Sequence, residues 1–222
     1  MNIFDILGPV MVGPSSSHTA GAVRIGYVSR ELLGERPVEA EINLHGSFAM
    51  TGKGHGTDRA LVAGILGMQP DDVRIPDSFE AAREQGLSFT IGTIQLKEAH
   101  PNSVQLKLKG ENGRELVIIA SSLGGGRISI VEIDGISTNF SGDYPTLIVH
   151  NLDQPGHVAE VTSMLAHKSV NIATLNLYRN MRGGYAVMVI ETDQRVPADA
   201  IRWLAHLEGV IKVTYLDKES AV

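Results

Sequence analysis

The chain of 222 residues contains no cysteine. That excludes disulfides, a cysteine nucleophile, thiolate zinc sites and an iron–sulfur cluster ligated by this chain alone. Basic residues are in the minority: Lys plus Arg number 19 against 25 Asp plus Glu, a net charge of −6. A phosphate-backbone binder carries the opposite excess, so nucleic acid is not an expected partner. No apolar run approaches the roughly 18 residues that a membrane-spanning helix needs. The N-terminal MNIFDILGPV has no leading Lys or Arg, carries Asp5 inside its apolar stretch and breaks at Gly8-Pro9. It reads as the start of the fold and not as a signal peptide. The expectation is a soluble cytoplasmic protein with no membrane partner. Neither HxxxH nor HExxH spacing occurs, so no metal site is expected on this chain. Aromatic residues are scarce at 5%, with one tryptophan, Trp203, most simply a core residue or an interface anchor.

What is present is an ordinary globular balance of 43% apolar and 20% charged residues, enough for one large domain or two small ones. Glycine marks a division. Of the 24 glycines, 20 fall in residues 1–144 and 4 in residues 145–222. The first part is therefore the one rich in tight turns and close backbone approaches. Asn139–Pro145 has the polar, Gly/Pro character of a linker, which gives domains at 1–138 and 146–222.

The second domain reads as β-α-β-β-α-β. Thr146–His150 is a β-branched run. Asp153–Gly156 is a turn before a helix with Val158, Val161, Met164 and Leu165 at helical spacing. Strands Val170–Tyr178 and Tyr185–Thr192 flank a hairpin signal, Pro197 opens a second helix, and Val210–Leu216 is the last strand. This order predicts a ferredoxin-like fold. The first domain reads as α+β with a mainly antiparallel sheet. Its expected helices are 19–33 and 58–66, and its strands are 38–44, 88–96, 103–109, 115–120 and 127–134.

Three constellations in the first domain carry polar chemistry. Gly13-Pro-Ser-Ser-Ser-His-Thr19 stands at a helix start, where free N–H groups and hydroxyls form an anion cradle beside His18. Taken alone, this pattern is more simply a serine-rich cap. Leu44-His-Gly-Ser-Phe48 leads to Thr51-Gly-Lys-Gly-His-Gly-Thr-Asp58, which reads as a glycine loop presenting Lys53 and His55 before a helix capped by Thr57 or Asp58. It lacks the order of a phosphate-binding P-loop. A helix N-terminus would keep His55 or His18 neutral and usable as a base. His100-Pro-Asn102 and Ser121-Ser-Leu-Gly-Gly-Gly126 form the third. Backbone N–H groups of Gly124, Gly125 and Gly126, with His100 and Asn102, suit a small anion. An ordinary turn and a bulge explain them equally well. His157, His167 and His206 fall in expected helices and read as surface or packed residues. No GxSxG elbow supports a serine hydrolase.

GPSSSHT at 13–19, HGSFAMTGKGHGTD at 45–58, HPN at 100–102 and GGG at 124–126 occur together and in order. In this the chain resembles the beta chain of the iron–sulfur-dependent, two-chain L-serine dehydratases, over almost its whole length. The resemblance implies a first domain similar to the allosteric substrate-binding domain of some D-3-phosphoglycerate dehydrogenases, followed by an ACT domain that self-associates. It implies a partner alpha subunit holding a [4Fe-4S] cluster, and conversion of L-serine to pyruvate and ammonia. On that reading His55 is the first choice as base or proton shuttle and His18 the second. Ser15, Ser16, Ser17, Thr19, Lys53, Thr57, Asp58, His45 and Ser47 would bind substrate. His100, Asn102, the glycines at 124–126, Asn151, Asp153, Gly156 and Asn171 are candidate amino-acid effector positions. In related serine-sensing dehydrogenases a His and two Asn grip serine, and only Asn171 keeps its type here. The alternative is a regulatory subunit that senses an amino acid and adds no catalytic group. Convergence of 13–19 and 52–58 on one exposed pocket edge would favour the enzyme-subunit reading.

Overall fold

The computed structural model describes residues 11–13 and 15–217, with backbone only at Gly52 and Lys53. The N-terminal segment 1–10, read above as the start of the fold, lies outside the described residues. The structure is mixed α+β with two sheets. Two compact units meet in sequence at Gly135 and Ile136.

In the first unit a π-helical turn, Ser16–Gly21, runs without a break into α1 (Ala22–Leu33). Ser15 caps the turn, its hydroxyl accepting the His18 N–H. The helix thus begins three residues before the expected Thr19 and ends at Gly34, as the sequence indicates. There follow β1 (Pro37–Leu44), α2 (Gly46–His55), α3 (Thr57–Ile65), a 3₁₀ turn at Ile75–Asp77 and α4 (Ser78–Glu84). Strands β2 (Ser88–Thr93), β3 (Ser103–Gly110), β4 (Glu115–Gly124) and β5 (Arg127–Ile133) complete the unit. The strand order is β2-β1-β3-β4-β5. The pair β1–β2 is parallel, while β1–β3, β3–β4 and β4–β5 are antiparallel. A parallel pair needs a long crossover, and α2, α3 and α4 supply it. Ala40, Ile42, Leu44, Val104, Leu106, Leu108, Leu116 and Ile118 alternate onto the buried face. On the other face Glu41 pairs with Lys107 at 3.0 Å and Glu39 with Lys109 at 3.6 Å.

The main departure from the sequence reading is Thr51–Gly56. The expected glycine loop is the second half of α2, and only Gly56 leaves the helix, at φ 68°. Two interior glycines weaken a helix by about 1 kcal/mol each. Tertiary contact offsets this at Phe48, which is fully buried.

Helices α1 and α3 touch through their backbones. A Cβ added to Gly26 would lie 2.3 Å from the Leu61 carbonyl oxygen, and one added to Gly64 would lie 2.0 Å from that of Val23. No side chain fits at this crossing.

The second unit comprises β6 (Ile136–Phe140), β7 (Thr146–Leu152), α5 (His157–His167), β8 (Ile172–Arg179), β9 (Tyr185–Thr192), α6 (Ala198–Leu204) and β10 (Val210–Leu216). Strand β6 takes in the first two residues of the expected linker 139–145, because Thr138 and Phe140 alternate inward and are buried. Strands β10-β7-β9-β8 form an antiparallel sheet. Its core gathers Leu147, Val149, Val161, Leu165, Met188, Ile190 and Leu204. Trp203 does not join that core; it is 49% exposed on α6. His157 is buried, whereas His167 and His206 are exposed and bonded to carbonyl oxygens one turn back.

Gly64→Ala should cost on the order of 2 kcal/mol by overpacking, although alanine gains about 1 kcal/mol of helix propensity. A Cβ at Gly54 meets nothing within 4 Å among the described residues, so Gly54→Ala should be neutral or up to about 1 kcal/mol stabilising. Urea midpoints measure both, and equal midpoints for the two variants would contradict the backbone-to-backbone crossing.

Candidate functional site

The π-helical turn lies against β4. A Cβ on Gly21 would sit 2.0 Å from the Ser122 hydroxyl, so the turn approaches the strand as closely as only glycine allows. Such π segments are rare and are frequent at functional sites. Strands β4 and β5 are joined by the two-residue turn Gly125-Gly126, with Gly124 opposite Arg127 and φ values of 62° and 76°. Both φ values are positive, which suits the tight hairpin turns that favour glycine. Gly125 N–H donates to Ser16 Oγ at 3.3 Å, and Arg24 Nη1 donates to Gly126 O at 3.2 Å. The glycine triplet is thus a hairpin clasped to the serine turn, and the Gly125 N–H expected for an anion is already used.

The His100–Asn102 segment is likewise a scaffold for the same place. Ser47 N–H donates to Pro101 O at 2.7 Å, and His45 N–H donates to Ser103 O at 3.0 Å. Ser122 N–H donates to Asn102 O at 2.9 Å. A Cβ on Gly46 would lie 2.5 Å from Pro101 O. These contacts pin the start of α2 beside the serine turn. His100 is exposed and its Nδ1 accepts the Asn102 N–H at 3.1 Å. His45 is half-buried, and its Nδ1 accepts the Leu96 N–H at 3.2 Å, tying the segment after β2 to the end of β1. That is an architectural role.

At the centre is His18, 8% exposed. Its Nε2 is 2.9 Å from Thr51 Oγ1 and 3.3 Å from Ser47 Oγ. Its Nδ1 is 3.4 Å from both Ser15 Oγ and Ser17 Oγ. Phe48 packs edge-on at 5.3 Å between ring centroids, and His55 lies at 5.0 Å. His55 itself is exposed, the last residue of α2. The first two constellations therefore converge: a buried imidazole behind, an exposed one in front, serine hydroxyls beside them. Burial pushes the His18 pKa below its ordinary value, and repulsion from His55 lowers it further, against a hydrogen bond to the Ser47 backbone that raises it. The expected agent was a helix N-terminus; the larger cause is desolvation.

Thr57 and Asp58 open α3, Thr57 fully buried and Asp58 bonded to the Arg59 N–H at 2.8 Å. Thr19 Oγ1, Thr57 Oγ1 and Ser122 Oγ are buried with no hydrogen-bond partner among the described residues. Each such hydroxyl costs about 1–3 kcal/mol. Lys53 lies on α2 with its side chain outside the described residues. Thr51, which the sequence reading passed over, is the nearest polar partner of His18. Its signal was Ser47, four residues earlier on the same face of a helix not expected there. Among the described residues no group of three or more His, Asp or Glu is placed to hold a metal.

In the second unit the effector candidates separate. Asn151 is buried near the end of β7, its Nδ2 donating to Leu152 O at 2.6 Å and its Oδ1 without a partner among the described residues. Asp153 accepts from Gly183 N–H at 2.9 Å and from Arg179 Nη1 at 3.2 Å. The Gly183 bond, reinforced by Arg179, holds its pKa below the ordinary carboxylate value. Gly156 precedes α5 at φ 107°. Asn171 donates to Asp193 Oδ2 at 2.6 Å, beyond the Ile172–Thr192 pair. Because Thr146 also pairs with Glu191, Asn171 sits at the opposite end of the sheet from Asn151 and Asp153. One chain does not assemble these residues into one cluster.

The family model described as "Serine dehydratase beta chain" matches residues 2–132. The chain is 45% identical over 192 residues to the L-serine dehydratase, beta chain, of Peptoniphilus asaccharolyticus, covering 86% of each. It is 39% identical over 213 residues to the probable L-serine dehydratase, beta chain, of Bacillus subtilis (strain 168), covering 96% of each. It is also 24% identical over 200 residues to the D-3-phosphoglycerate dehydrogenase of Bacillus subtilis (strain 168), covering 88% of this chain and 37% of that one.

The pair of imidazoles generates a titration test. His18 should titrate below the ordinary histidine value of about 6.5. His55→Ala should raise its midpoint only part of the way, because burial remains. The sign for stability follows: the unfolded chain binds this proton more tightly, so stability falls as pH drops below the unfolded value. NMR titration of the His18 ring measures this, and a midpoint unmoved by His55→Ala would refute the coupling.

Proposed function

The chain belongs to the serine dehydratase beta chain family, and from that premise we propose that it supplies the proton-handling half of an L-serine dehydratase active site. The observation that supports this reading is the 5.0 Å approach of His18 to His55 beside the serine turn. Removing water from L-serine takes the α-proton and the β-hydroxyl and gives aminoacrylate. This tautomerises to the imine, and water converts the imine to pyruvate and ammonia.

His55, at the exposed end of α2, takes the α-proton. His18, buried and held neutral, stands behind it to accept or return a proton. An uncharged imidazole with a lowered pKa is a base at neutral pH, and a positioned general base is worth roughly 10²–10⁴-fold in rate. Ser15, Ser16 and Ser17 hold the substrate carboxylate or shape its pocket, with Thr19, Ser47, Thr57, Asp58 and Lys53 around them. A [4Fe-4S] cluster does not fit this chain, which has no cysteine and no three-residue ligand group among its described residues. The cluster that the resemblance implies belongs to the alpha subunit.

The second unit, on this reading, is an ACT domain in a ferredoxin-like fold, and the first resembles an allosteric substrate-binding domain. Strand β8 is an edge of the four-stranded sheet, and Leu177 on it is 46% exposed. A second copy would pair along such an edge. An amino-acid effector, if bound between copies, would unite Asn171 of one with Asn151 and Asp153 of the other. We propose a cytoplasmic assembly; no helix among the described residues is long and apolar enough to cross a membrane.

Anaerobic co-expression with the alpha subunit should give a complex that makes pyruvate from L-serine. His55→Ala in that complex should lower kcat by roughly 10²–10⁴-fold, and normal turnover would remove His55 from the base role. A purely regulatory chain would lose effector response and keep kcat.

A further inference from the structure

We propose that Thr51 is a positioning residue that fixes the tautomer of His18, holding the ring proton on Nε2 and leaving Nδ1 as the proton acceptor toward Ser15 and Ser17. The placement of the proton stands on geometry alone; its use in catalysis rests on the reading of His18 given above.

A threonine hydroxyl has one proton. Thr51 Oγ1 lies 2.8 Å from Ser47 O, one helical turn back, and a carbonyl oxygen can only accept. The hydroxyl proton is therefore committed to Ser47 O. Toward His18 Nε2, at 2.9 Å, Thr51 Oγ1 can then only accept. The proton in that contact must come from the ring, so the neutral imidazole carries it on Nε2. Ser47 Oγ, at 3.3 Å, is compatible with the same direction. The opposite tautomer would oblige Thr51 to abandon the Ser47 carbonyl in order to donate to Nε2.

The other nitrogen agrees. Ser15 Oγ accepts the His18 backbone N–H at 3.2 Å, so its own proton remains available for donation. Ser15 Oγ and Ser17 Oγ both stand 3.4 Å from Nδ1, where the lone pair of this tautomer points. Which ring nitrogen is basic is generally set by the hydrogen bond that the other one makes. Here that partner is Thr51. A proton arriving at His18 can enter only at Nδ1, from the serine side, and the serine hydroxyls become the route to the buried ring.

The test uses the full chain labelled with ¹⁵N-histidine, at a pH where His18 is neutral. Long-range ¹⁵N–¹H correlations should show the Nε2–H pattern in the wild type and in Thr51→Ser. In Thr51→Val, which keeps the shape and removes the acceptor, the pattern should shift toward Nδ1–H. A wild-type ring protonated at Nδ1 would overturn the proposal, and that measurement does not depend on any variant folding. So would a Thr51→Val spectrum with an unchanged Nε2–H pattern. In the two-chain enzyme, Thr51→Val should reduce kcat by roughly 10²-fold with KM little changed, and Thr51→Ser should restore it. A switched tautomer with unchanged kcat would overturn the positioning role. Normal turnover in His18→Ala would instead overturn the reading of the site, with the Nε2 proton still where Thr51 puts it.

Discussion

Two glycines in backbone contact set how closely α1 and α3 approach. Gly26 and Gly64 leave no room for a Cβ on either side, since each would meet main-chain atoms that cannot move aside. The helices thus cross at the shortest separation that two backbones allow, and everything at their starts inherits that spacing. The serine turn leads directly into α1. His55 and Gly56 lead directly into α3. Two imidazoles far apart in sequence reach 5.0 Å because their helices are locked at this contact. The close approaches of Gly21 to Ser122 and of Gly46 to Pro101 apply the same device to the sheet side of the site. Close approach explains part of the excess of glycine before residue 145, and turns explain the larger part.

The elements that could be read from the sequence are those whose period matches what buries them. Strands β1, β3, β4 and β5 alternate, and from Thr146 onward the second unit follows the expected β-α-β-β-α-β order nearly residue for residue, with the unexpected β6 before it. Helix α2 could not be read, because Gly52, Gly54 and Gly56 carry local propensities that argue against a helix. Its reasons are non-local: Phe48 buried in the core, Ser47 tied to Pro101, Thr51 tied to His18. Helix α4 (Ser78–Glu84) is too short to print a helical period, and the expected helix 58–66 alone did not show that β2 returns parallel to β1.

The same division runs through the site. Residue type alone picked out His18, His55 and the serines, because imidazole and hydroxyl groups beside a helix start are chemically conspicuous. Their convergence was not legible, since it depends on the α1–α3 contact. Nor was the part played by His100–Asn102 and the glycine triplet. As sequence they suggest an anion site of their own; as structure they offer backbone carbonyls and N–H groups that hold α2 and the serine turn together. Thr51 stayed hidden because its meaning requires a helix, a carbonyl four residues back and a ring brought in from another element.

The absence of cysteine takes its physical form at the end of α2. Up to Thr51 the helix is held by this chain's own packing. Beyond it Gly54 has no described atom within 4 Å of where a Cβ would be, and His55 is exposed. His55 thus stands exposed at the end of α2, beside a buried neighbour whose pKa desolvation lowers. In the proposed elimination a neutral base takes the α-proton, while the β-hydroxyl, a poor leaving group, needs an electrophile to activate its departure. On that reading this chain offers the base, and with no cysteine it offers no thiolate ligand for a metal electrophile. On the proposed reading the two imidazoles are half of an active site, and the electrophile that their chemistry calls for comes from outside the chain.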